Sequence, residues 1–96
     1  MKKTVFYSMV HENGKSIAKR QNGYTDGKYN YYKNQWGTWF VIHPENGLSV
    51  CADSTRKAAA ARAVALADRI AAAIERNGEQ TREAFKKALE AETEVA

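Results

Sequence analysis

The chain is expected to fold as an α+β domain: an antiparallel β-meander of four or five strands, then a long α-helix packed on one face of the sheet and a shorter C-terminal helix. Three observations predict this. Nine of the ten aromatic residues fall between Phe6 and Phe40, and aromatic side chains suit a pleated, half-buried surface. Most of the alanines fall after Lys57, where they give high helix propensity. Turn dipeptides (Asn13-Gly14, Asn22-Gly23, Asp26-Gly27 and Asn46-Gly47) punctuate the aromatic half, so strands precede helices instead of alternating with them.

Asn13-Gly14 joins residues 4–10 to 15–21, and Asn-Gly between two mixed polar and apolar runs is a strong hairpin signal because both residues tolerate positive φ. The turns at Gly23 and Gly27 bend the chain into a third strand, 28–33, rich in tyrosine. Gln35-Trp36-Gly37 turns it again. Residues 38–43 are apolar on both faces, which suits a central strand with Trp39, Phe40, Val41 and Ile42 as core. His43 to Gly47 forms a tight loop returning into a last strand at 48–52. The sheet thus occupies residues 3–52.

Asp53-Ser54-Thr55 offers side-chain oxygens to the free amides of a helix start, and Asn77-Gly78 offers a left-handed stop, so a long helix is placed at 53–77. At about 100° per residue Ala59, Ala63, Leu66, Ile70, Ala73 and Ile74 share one face, the lid for the sheet. A second helix is placed at 79–92, with Thr81, Phe85, Ala88 and Leu89 on its apolar side. Glu90, Glu92 and Glu94 oppose the negative end of the helix dipole, which predicts a frayed tail at 93–96.

Ninety-six residues make one domain, 1–96, with a single modest core. No apolar run approaches the roughly 20 residues of a membrane span, the opening residues lack a signal-peptide pattern, and the expected compartment is the cytoplasm. One cysteine, Cys51, rules out an internal disulfide. With only His11 and His43 beside it, no familiar zinc set is expected, and no cofactor. The net charge of +4 resides in the first half: residues 1–52 carry seven Lys or Arg against three acids, and residues 53–96 carry eight of each. Such an excess suits phosphate or acidic protein partners.

The densest functional candidate is 24–36, where tyrosine, asparagine, glycine and lysine give the composition of a binding surface. Tyr29, Tyr31, Tyr32 and Trp36 are the expected partner-binding anchors, with Lys28 and Lys33 as charge. In a strand, Tyr29 and Tyr31 face one way and Lys28, Asn30 and Tyr32 the other, so only one set enters the core. Interleaved rings and bases, with Lys15, Lys19 and Arg20 added, also meet the needs of a nucleic-acid surface, the alternative reading. Arg62, Arg69 and Arg76 recur every seven residues as a basic ridge. A Cys51 and His43 dyad requires both side chains on one exposed face of paired strands, with an oxyanion hole that no motif supplies, so the chain is not expected to be an enzyme. The alanine-rich face leaves two oligomeric expectations, a monomer or a helix-mediated homodimer.

In its size, leading hairpins, the stretch from Trp36 to His43, Gly47-Leu48 and the alanine-rich helix, the chain resembles short accessory proteins of phages and mobile elements. These include inhibitors of host defence such as anti-CRISPR proteins. That resemblance implies a non-enzymatic protein-binding role, in which a nucleic-acid or subunit surface is occluded. The order of sheet then helix is also similar to the arm-binding domains of phage integrases, from which the long first hairpin and the second helix depart.

Overall fold

The computed structural model describes residues 1–95, with side chains through residue 92. It is α+β, with strands β1 (Lys2–Glu12), β2 (Lys15–Thr25), β3 (Asn30–Lys33), β4 (Trp39–Ile42) and β5 (Ser49–Asp53), then helices α1 (Arg56–Ala65) and α2 (Ala67–Val95). The five strands follow one another in sequence order, all antiparallel. Asn13 and Gly14 close the first hairpin with φ of 51° and 77°, the double left-handed turn whose twist matches its strands.

The helical half differs from expectation in where it breaks. The chain leaves the helix at Leu66 (φ −98°, ψ 7°), and the second helix runs unbroken through Asn77 and Gly78. The first helix is therefore the short one. Its ten residues span about 15 Å, the length of the five-residue β5 it covers, at about 17 Å. A straight helix to residue 77 would run past the sheet with nothing to bury. Gly78 is itself buried, and Asn46 of the β4–β5 loop reaches Thr81 one turn later through an Nδ2 to Oγ1 contact of 3.5 Å. A Cβ at Gly78 would meet only Ile74 and Arg82 of the same helix, so neither a helix end nor a close approach of the loop requires the glycine. The tail expected at 93–96 lies outside the described residues in its last position and in all its side chains.

Tyr24, Tyr31, Val41 and Cys51 stand opposite one another across β2 to β5. Tyr29, Tyr31 and Val41 are buried with Ala59 and Ala63 of α1, and Ile70 of α2 packs at the margin. Small alanines bring α1 close enough for Cys51 Sγ to contact Ala59 O at 3.6 Å. Val41 and Ile42 are buried as expected, whereas Trp39 and Phe40 are only half-buried.

The other side of the sheet is concave. Met9 N donates to Gly47 O at 2.7 Å, although in a flat sheet β1 would lie three strand spacings from β4, about 14 Å. Gly23 sits at the bend. A Cβ built there would lie inside the contact shell of Tyr31 O and 3.1 Å from Phe6 Cε1. Without it, Phe6 meets Tyr32 across β2 (ring centroids 6.1 Å apart), and Tyr32 stacks on Phe40 at 5.3 Å. Ser8 is fully buried in the first hairpin and accepts from Gln21 Nε2 at 3.1 Å.

Candidate functional site

The expected patch at 24–36 is divided by the sheet into core and surface. Tyr31 is 1% exposed and Tyr29 6% exposed, so neither is a partner-binding anchor. Their positions follow from the turn between β2 and β3. Asp26 accepts from the amides of Lys28 and Tyr29, both at 2.8 Å, and from the Tyr31 hydroxyl at 2.5 Å. A tyrosine whose hydroxyl has a carboxylate partner can bury its ring without an unmet polar group. Burial pushes the Asp26 carboxyl up, but these three hydrogen bonds outweigh it and hold the group below the ordinary carboxylate value. Burial and the same contact push the Tyr31 hydroxyl up. Tyr32 is half-buried in the concave ring stack, so its face is already taken by Phe40.

Lys28 and Lys33 are exposed but separated by the length of β3. Lys28 lies 5.4 Å over Tyr29, near His43. Lys33 lies at the opposite end, 6.0 Å over Trp39. That opposite end is where the exposed aromatic surface gathers. Trp36 occupies the tip of the β3–β4 turn and is 79% exposed. Its backbone is fixed: Asn34 Oδ1 accepts from Trp36 N at 3.0 Å and Thr38 N at 2.9 Å, and Asn34 N donates to Thr38 O at 2.9 Å.

Beside the turn lies a group that the sequence reading did not assemble. Arg56, the first residue of α1, stacks 4.5 Å over Tyr24 and 5.8 Å from Trp39, whose rings are 6.1 Å apart. Thr55 positions it by capping the helix, its Oγ1 accepting from Ala58 N at 3.1 Å. The one sequence signal was a cation directly after a capping motif, and only three-dimensional pairing of β2 with β3 and β4 brings Tyr24 and Trp39 beneath it. Asp53, opposite Trp39 in the ladder, is engaged with Arg62 at 3.0 and 3.1 Å. The Ser54 amide and Arg62 hold its carboxyl below the usual range. Among the described residues Lys33 and Arg56 make no ion pair, so this end of the sheet is aromatic and cationic.

The ridge of arginines is not a single ridge. Arg62 belongs to α1 and pairs with Asp53, an acid nine residues earlier that helical spacing cannot reveal. Arg69 and Arg76 belong to α2, beyond the break at Leu66, and make no ion pair among the described residues. Cys51 and His43 are engaged elsewhere: burial raises the Cys51 thiol, which is packed on α1, and His43 Nδ1 accepts from Glu45 N at 3.2 Å. Burial lowers the His43 imidazole. Among the described residues, no group of three or more His, Cys, Asp or Glu is placed to hold a metal ion, and no helix is long and apolar enough to cross a membrane.

No family model, no curated protein and no solved structure matches this chain.

Proposed function

We propose that the chain is a non-catalytic protein-binding module whose anchor is Trp36, with Lys33 and Arg56 selecting an acidic partner surface. The observation that carries this reading is the exposure of Trp36 on a turn whose backbone is locked by Asn34. A turn whose backbone is already fixed loses little backbone entropy on docking, and tryptophan and arginine are enriched among residues that dominate binding energy.

A protein partner fits better than a nucleic acid. A single strand needs successive free ring faces. Here Arg56 covers Tyr24 and Trp39, and Phe6, Tyr32 and Phe40 fill one another, which leaves Trp36 as the open platform at this end of the sheet. Occlusion of a subunit surface, the role implied by the resemblance to inhibitors from mobile elements, is the form this reading takes.

Wild type and Trp36→Ala, used as bait in extracts of the source cells with cross-linking, provide the test. Loss of a central tryptophan is expected to weaken capture by about thirtyfold or more with an unchanged melting curve. Equal capture by the variant overturns the reading. Fluorescence anisotropy with single-stranded and duplex oligonucleotides at low and high salt is the second arm. Binding that falls with salt and is lost in Lys33→Ala with Arg56→Ala would assign the surface to nucleic acid instead.

A further inference from the structure

A second site lies at the other end of β4 and does not rest on the Trp36 reading. β5 is the last strand in the sheet order, so among the described residues its outer edge has no strand partner. Beside its first residues runs a groove of about 370 Å³ between the strand and α2. Leu48 and Val50 form one wall, and Leu66, Ile70, Ala73 and Ile74 the other. Leu48 is 40% exposed, an apolar side chain left in water at the mouth of an apolar trough. Arg69 stands on the α2 wall with no ion pair among the described residues, and Asn46 and Thr81 line the groove with polar groups.

We propose that the outer edge of β5 and this groove form a strand-addition site for an extended peptide segment of a partner protein, one that alternates apolar side chains and carries an acidic residue for Arg69. Each half of the site matches one property of such a segment. An unpaired edge supplies main-chain hydrogen bonds without regard to sequence, and a trough beside it takes alternate side chains, which point the same way at a period of two. The groove volume lies at the lower end of the range of ligand-binding clefts, about 300–1,000 Å³. A guanidinium with no ion pair among the described residues complements a carboxylate, and Arg pairs with carboxylates through two parallel hydrogen bonds. The occupant is thus distinguished from a purely apolar segment by charge and from a helix by the free strand edge.

The probe is a phage-displayed library of random eight-residue peptides selected on the full chain, with enriched sequences then synthesised and titrated. Enrichment of peptides alternating apolar residues with Asp or Glu is expected, with shifts on binding in the amide resonances of Ser49 to Asp53 and of the facing turns of α2. Arg69 is exposed, so Arg69→Gln leaves folding intact and is expected to weaken the peptides by roughly tenfold. Ala73→Trp, which fills the trough from an exposed helix position, is expected to abolish binding while the circular dichroism spectrum is retained. The proposal is overturned if selection yields no peptides that discriminate wild type from Ala73→Trp. It fails equally if Arg69→Gln binds the selected peptides as tightly as wild type. A concentration-dependent dimer in sedimentation that Ala73→Trp dissociates would show that a second copy of the chain covers the groove, which also overturns it.

Discussion

Gly23→Ala tests the bend on which the concave ring stack depends. In an ordinary strand the change is favourable, because alanine has less backbone freedom to lose than glycine, by roughly 0.5–1 kcal/mol. Here the added methyl would fall within the contact shell of the Tyr31 carbonyl oxygen, 3.0 Å from its carbonyl carbon and 3.1 Å from Phe6 Cε1. Two of those atoms are backbone, so relief requires β2 and β3 to separate, with loss of the neighbouring Tyr24 and Tyr31 pairing. Overpacking of this kind costs about 1–3 kcal/mol, and backbone neighbours place Gly23 towards the upper end. The steric term wins, for a net loss of roughly 1–2 kcal/mol. In a domain of this size that lowers Tm by about 5–15 °C, read by thermal circular dichroism. The near-ultraviolet signal of the Phe6, Tyr32 and Phe40 stack should weaken in the folded variant. An unchanged or raised Tm with an intact aromatic signal would refute the bend at Gly23.

Three further substitutions give distinct signatures. Gly78→Ala should raise stability by up to about 1 kcal/mol, because the position is helical and a Cβ would meet only the movable ends of Ile74 (3.3 Å) and Arg82 (3.4 Å); a drop in Tm of several degrees would mean the helix needs glycine there. Tyr31→Phe should cost roughly 1–2 kcal/mol in a denaturant melt, since it removes a hydrogen bond to a charged acceptor, and a neutral result would show that the Asp26 contact contributes nothing. Asp26→Asn should be less stable than wild type near neutral pH, with the gap closing in acid. The folded carboxyl is held below its unfolded value of about 3.9, so its contribution is full above that pH and disappears as pH falls through the folded value. Parallel Tm curves for the two proteins from about pH 7 down to about pH 2 would contradict this assignment.

The strand order was legible because it rests on local chemistry: Asn13-Gly14 demands its turn, and the tyrosine-rich run at 28–33 favours extension. The alternation rule also showed that Tyr29 and Tyr31 must share a face opposite Tyr32. It could not show which face a helix would cover, since that depends on where α1 lands, and α1 lands on Tyr31. The break at Leu66 was hidden for a related reason. Alanine propensity continues smoothly through the site, and only the length of β5 determines where packing ends. Asn77-Gly78 misled because a glycine that permits a left-handed stop costs only about 1 kcal/mol inside a helix, which a long helix can carry. At the candidate surface Trp36 was legible as a ring between turn residues. The stack of Arg56 on Tyr24 and Trp39, and the pairing of Arg62 with Asp53, join residues whose separations match no helical or strand period.

Gly47 has a consequence for the order in which the molecule assembles. Its carbonyl holds Met9, and its α-carbon, at φ 68°, lies under the Phe85 ring, where a Cβ would come within 2.6 Å of the ring. Residues 9, 47 and 85 are each separated from the next by more than a third of the chain. Closing two such loops carries an entropic cost that no local contact offsets, whereas the first hairpin and both helices form from near neighbours. The junction therefore closes after the sheet and the helices exist, and it opens first. The Met9 amide should exchange with solvent through a smaller opening than the amides of β4, so the first hairpin swings free of α2 before the core beneath α1 is lost.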